Sequence, residues 1–158
     1  MFARVIAAAL LSALALAACG GSDDEQDVPG GADPDAVKVI QDWADQLRAG
    51  EVEAAADRFE IPSTVQNGAP PIRLTDREDV VAFNESLPCG AKLTEAERSG
   101  EYTIATFELT ERPGPGECGT GAGQTAKTAF VIHDGRIAEW RRVVDEPPAE
   151  PPPTGPVV

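Results

Sequence analysis

One histidine, one tyrosine, three cysteines and many carboxylates are the side chains of this 158-residue sequence that could do chemistry. An imidazole titrates near neutral pH, so His133 is a formal candidate for acid-base work. It directly precedes Asp134-Gly135, a dipeptide suited to a tight turn, which predicts a solvent position at a hairpin end. Tyr102 could donate a hydrogen bond to a carbonyl oxygen. Asp42, Asp45 and Asp57 fall mainly on the polar sides of helical patterns, where solvated carboxylates are the default. No Ser/His/Asp or Cys/His arrangement for nucleophilic catalysis is visible, and no catalytic residue is assigned. The glycine-rich stretch GTGAG at 119–123 lacks the lysine and the strand-to-helix setting of a phosphate loop. With no CxxC and a single histidine, no metal site is expected, and no cofactor.

The amino terminus carries an address. Arg4 precedes an apolar run from Val5 to Ala18 whose only hydroxyl is Ser12. Such a run is shorter than the roughly 20 helical residues a bilayer core requires. It gives way at once to Gly20-Gly21-Ser22-Asp23-Asp24-Glu25, which cannot continue into a packed core. The four residues Leu16-Ala17-Ala18-Cys19 resemble the lipobox of bacterial lipoproteins. That resemblance implies removal of a signal peptide at 1–18 and acylation of Cys19, which anchors the chain to the cell membrane on its extracytoplasmic side. A buried helix and a cleavable signal without lipid are the alternatives. Two or three acyl chains, at about 0.8 kcal/mol per buried methylene, hold a protein stably at a bilayer.

Export bears on the other two cysteines. With Cys19 committed to lipid, Cys89 and Cys118 remain as a pair in an oxidising compartment, and a disulfide between them is expected, with two free thiols as the alternative. The chain has 27 acidic and 13 basic residues, a formal charge of −14. A surface this acidic excludes nucleic acid and electrostatic adsorption to anionic lipid, both of which need clustered Lys and Arg. Residues 19–33 read as a lipidated, flexible acidic tether, 34–145 as the single folded domain, and 146–158, EPPAEPPPTGPVV, as a proline-rich tail without a core.

Within 34–145, Asp33 as N-cap, Pro34 at the first helical position and Gly50 as a stop predict a first helix, with Ala36, Ile40, Trp43 and Leu47 on one face beside Val39 and Ala44. A short second helix is expected over 51–59, burying Val52, Ala55, Ala56 and Phe59, followed by a turn-rich segment with extended pieces around Val65 and Ile72. Thr75-Asp76-Arg77-Glu78 opens a third helix reaching about Leu87, with Val80, Phe83 and Leu87 inward. The period then changes to two. Strands are predicted at 92–98 and 101–111, the latter with Thr103, Ala105, Phe107 and Leu109 on one face and Tyr102, Ile104 and Thr106 on the other. A Gly/Pro-rich loop bearing Cys118 follows, and a hairpin of 125–133 and 136–144 closes the domain.

Three stretches, WADQLRAGEVEAAADRF at 43–59, RLTDREDVVAF at 73–83 and FVIHDGRIAEWRRVVD at 130–145, occur in the order and spacing of the nuclear transport factor 2-like superfamily, which includes polyketide cyclase-like, SnoaL-like and ketosteroid isomerase-like proteins. The resemblance implies an α+β cone, a curved antiparallel sheet wrapped around three N-terminal helices, with an apolar pocket at its open end. Trp43, Phe59, Tyr102, Phe107, Phe130 and Trp140 are the large side chains available to line that pocket or to fill the core. Fold does not choose among the uses of such a pocket. The favoured expectation is a non-catalytic domain that binds a small amphipathic ligand or a membrane-protein partner; the alternative is an acid-base enzyme of the isomerase or cyclase type. Arg136, Trp140 and Arg142 are expected to alternate on one side of the last strand as a docking surface, and the sheet face could also serve a homodimer.

Overall fold

The computed structural model describes residues 31–144. The signal segment, Cys19, most of the tether and the proline-rich tail lie outside the described residues. Three helices and six strands follow in the order α1 (Pro34–Ala49), α2 (Val52–Ala56), β1 (Phe59–Gln66), β2 (Ile72–Leu74), α3 (Arg77–Ser86), β3 (Gly90–Ser99), β4 (Tyr102–Thr110), β5 (Thr125–His133) and β6 (Arg136–Val143). The strands form one mixed sheet in the order β2-β1-β6-β5-β4-β3. Four neighbouring pairs are antiparallel; β1 lies parallel to β6.

Helix ends follow the local chemistry. The Asp33 carboxylate accepts from the backbone N–H of Asp35 at 2.9 Å, and Gly50 closes α1 at φ 81° while the Gly50 and Glu51 N–H groups return to the Leu47 and Gln46 carbonyls. At α3, Asp76 accepts from the Asp79 N–H at 2.9 Å, and the Asp79 carboxylate accepts from the Thr75 N–H at 2.9 Å. Those bonds from Thr75 hold the Asp79 carboxyl below its usual range. Ahead of α1, Gly31 pairs with Glu97 and Ala32 is buried against Val37 and Ala96. Contacts with the sheet therefore begin by Gly31, three residues before the domain start expected at 34.

Second, α2 ends at Ala56 rather than 59, so Phe59 is buried as the first residue of β1 and not on a helix. β1 loses register with β6 between Phe59 and Thr64, where Pro62 cannot donate to a ladder. Further irregularities lie between Leu93 and Glu95 on β3 and between Val131 and Ile132 opposite β6. An extra residue on one strand increases local twist and bends the sheet. The concave face then receives α1, which packs on β3 and reaches β4, β5 and β6. Gly90 permits the closest approach: a Cβ there would stand 2.7 Å from Thr110 Oγ1 and 3.2 Å from the Arg48 backbone.

The core sits between α1 and that face. Trp43 is its hub, with edge contacts to Phe130 (5.6 Å between ring centroids), Phe107 (6.1 Å) and Trp140 (6.5 Å). Phe83 of α3 continues the cluster to Trp140 at 5.2 Å and Phe59 at 6.0 Å. A polar lock runs through it. The Trp43 indole N–H donates to Asn84 Oδ1 at 2.8 Å, and Asn84 Nδ2 donates to the Val80 carbonyl at 2.8 Å, with Asn84 fully buried. Beyond the end of α3, Arg112 is buried and donates to the Leu87, Asn84 and Glu85 carbonyls, satisfying acceptors the helix leaves open. Burial pulls its pKa below the ordinary arginine value, opposed by Glu85.

Truncating Asn84 strands a buried indole N–H and opens a void, so Asn84→Ala should destabilise the domain by roughly 2–4 kcal/mol. Urea denaturation checks the magnitude, and a loss of near-ultraviolet tryptophan dichroism before the far-ultraviolet signal would mark the loosened cluster.

Candidate functional site

Alternation along the strands decides which side chains reach the concave face. On β4, Thr103, Ala105 and Phe107 are buried inward as the period of two requires, while Tyr102 and Ile104 turn outward. On β6 the extra residue at Ala138 breaks the alternation: Ile132 of β5 pairs with Ile137 and Val131 with Glu139, so both Ile137 and Trp140 are buried although three positions apart. Arg142 follows Trp140 by two and pairs with Thr128 of β5, which puts it on the inner side at the rim. Arg136 is elsewhere, its guanidinium donating to the Asp57 carbonyl at 2.8 Å. The expected surface of Arg136, Trp140 and Arg142 on one side is therefore not formed.

At the open end of the cone is a cleft of about 130 Å³. Trp43, Leu47, Leu87, Phe107, Leu109 and Trp140 supply large apolar walls, with Ala91 and Ala126 leaving the space between them. The polar contributions are few: the Thr128 hydroxyl, the Asn67 side chain and the Arg142 guanidinium, while the Trp140 indole N–H is shielded and has no acceptor among the described residues. Among the described residues no aspartate, glutamate, histidine, lysine or tyrosine lines this cleft.

Of the six aromatic residues proposed from the sequence, Trp43, Phe107 and Trp140 form its walls. Phe59 and Phe130 are buried in the core behind it. Tyr102 is a correction: it stands on the convex face, where its hydroxyl bonds Glu139 Oε1 at 3.3 Å, because its strand position has the opposite parity to Phe107. Glu139 also pairs with Arg141, whose Nη1 donates to Gln66 Oε1 at 3.2 Å. Thr128, Arg142, Leu87 and the alanines were not singled out for the site, since short and polar residues leave no periodic mark of their own.

The rim is fixed covalently. Cys89, which lines the cleft, is bonded to Cys118, tying the start of β3 to the loop before β5. A separation of 29 residues corresponds to about 3.6 kcal/mol of loop-closure stabilisation in the chain-entropy picture. Glu111 secures the same loop, its carboxylate accepting from the Cys118 and Gly119 N–H groups at 3.1 Å each.

His133 lies at the exposed hairpin end, as its place before Asp134-Gly135 predicts. Its Nδ1 is 3.0 Å from Glu60 Oε2 and its Nε2 3.5 Å from Asp134 Oδ2. Among the described residues no group of three or more His, Cys, Asp or Glu side chains could hold a metal ion. Asp42 and Asp45 belong to ion pairs on the outside of α1, with Lys38 and Arg58 for the former and Arg48 for the latter, and Asp57 pairs with Arg77.

With this geometry in place, known proteins can be compared. No protein-family model and no curated protein matches the sequence. Solved structures do match in fold. A protein from Sinorhizobium meliloti, whose polyketide cyclase assignment is itself provisional, is similar with a TM-score of 0.52 at 19% identity, covering 67% of this chain and 94% of that one. A nuclear transport factor 2-like protein of unknown function from Cytophaga hutchinsonii is similar at 0.53 and 12% identity, over 69% of this chain and 88% of the other. A Kribbella flavida protein, provisionally described as a ketosteroid isomerase, is similar at 0.50 and 18% identity, over 72% and 82%. The fold is thus the nuclear transport factor 2-like cone, an α+β architecture with a curved sheet around three helices.

The Glu60 contact raises the His133 pKa above its ordinary 6.5, helped by the charge of Asp134. The contact therefore stabilises the fold fully below about pH 6.5 and is lost as pH rises through the higher folded-state value. His133→Gln should accordingly lower the melting temperature at pH 5 and leave it unchanged at pH 9, a difference that paired thermal melts will read.

Proposed function

We propose that this protein is a lipid-anchored, extracytoplasmic binding domain whose cleft takes a small ligand with a compact apolar body. The observation that carries the reading is the chemistry of the cleft: aromatic and aliphatic walls, a few polar groups, and, among the described residues, a lining without carboxylate, imidazole or phenol. Such a composition suits sequestration and recognition. Acid-base catalysis of the isomerase or cyclase type needs a proton-transfer group within hydrogen-bond reach of the substrate. Tyr102 and His133, the nearest chemical candidates in sequence terms, are on the convex face and at the hairpin end.

Size limits the ligand. A cavity of roughly 150 Å³ holds one benzene ring, so about 130 Å³ fits a body of that order, with the rest of a larger molecule left at the mouth. Anchoring at Cys19 would keep the domain near the membrane, and the strongly acidic chain would repel the anionic headgroups beneath it. Rigid walls favour this role. The disulfide at the rim and the Trp43–Asn84 bond behind it hold the lining in place without a ligand, lowering the ordering cost of binding.

Both tryptophans of the chain line the cleft, so intrinsic fluorescence reports occupancy directly. Benzyl alcohol titrated into residues 20–158 should give a saturable change, and Ala126→Phe, which fills the space from one wall, should abolish it while far-ultraviolet dichroism stays the same. Absence of any saturable response in the parent chain would sink the reading. For the anchor, Cys19→Ala should move the full-length chain from the detergent to the aqueous phase in cloud-point partitioning; unchanged partitioning would refute lipid attachment.

A further inference from the structure

The polar groups of the cleft are not a random set. Arg142 lies at the rim on the inner side of β6, and no described carboxylate stands within ion-pair distance of it. Its neighbour Arg141, turned to the other face, has Glu139 and Gln66 as partners. Trp140 contributes its ring to the wall, its Nε1 being shielded from a water-sized probe and so out of a ligand's reach. Thr128 is the cross-strand partner of Arg142 and lines the same cleft, adding a hydroxyl that can donate.

We infer that the ligand is a small monocarboxylate: an apolar body of about benzene size against Trp43, Leu47 and Phe107, with its anionic head toward the Arg142 guanidinium and the Thr128 hydroxyl. This rests on the cleft being a ligand site, as proposed above. Both groups can donate, as can the Asn67 amide, and among the described residues no acidic side chain lines the cleft to oppose an anion. A guanidinium matches a carboxylate with two parallel hydrogen bonds, which a neutral hydroxyl cannot use, so the charged head is discriminated as well as bound. The overall negative charge of the chain then disfavours anions everywhere except where a local donor set compensates.

The test compares benzoate with benzyl alcohol, two probes of nearly the same body and different head, in residues 20–158 at pH 7. Tryptophan fluorescence should report at least about tenfold tighter binding of benzoate. Arg142→Gln, at an exposed rim position, should reduce that preference to less than about threefold, chiefly by weakening benzoate. Equal affinities of the parent chain for the two probes would overturn the carboxylate inference and leave the apolar cleft standing as a ligand site. A preference that survives Arg142→Gln would overturn the role of Arg142, and no binding of either probe would overturn the cleft reading and the inference together.

Discussion

Everything at the concave side of this fold depends on where the Trp43 indole is held. Its ring meets Phe107, Phe130 and Trp140 edge-on, which joins α1 to three strands, and its N–H is taken by Asn84, which joins α1 to α3. Edge contacts alone leave the ring free to slide along an apolar surface, since dispersion has little direction. A buried hydrogen bond does not, because breaking it leaves two unsatisfied groups. The bond therefore sets the orientation of the ring, and the ring forms the floor of the cleft.

The rim is held by different chemistry. Arg112 collects the carbonyls at the end of α3, the Glu111 carboxylate collects the N–H groups of the loop near Cys118, and the disulfide ties that loop to the start of β3. Ionic hydrogen bonds and a covalent link do here what a larger core would otherwise do. This frees the residues between them to be small or aromatic as the cleft requires. Preorganised walls and unpaired donors are compatible in one site because the rigidity comes from behind the lining, not from contacts across it.

Much of the architecture was legible in the chain. Asp33, Pro34 and Gly50 marked both ends of α1, Thr75-Asp76 marked the start of α3, and the alternation 103, 105, 107 assigned the inner face of β4, since each of these signals acts within one helical turn or one pleat. The end of α2 was misplaced because its last expected residue, Phe59, is apolar in either a helix or a strand. The role of Asn84 could have been found: it follows Val80 by one helical turn on an otherwise apolar face, a polar residue where burial demands a partner. Which partner it takes, 41 positions away, has no local signal.

Sequence by itself determined the element order and the surface position of His133, and made Cys89 and Cys118 the expected pair, because local propensity acts within a few residues. Tertiary structure alone decided that β6 runs parallel to β1 and that an extra residue at Ala138 brings Ile137 and Trp140 to the same side. From that came the separation of Arg142 from Arg136, one facing the cleft and the other not. The reason is physical: a strand's side chains reverse face at every residue, so a single bulge or one position of parity redirects a functional group, and neither is encoded in the residue type that carries it.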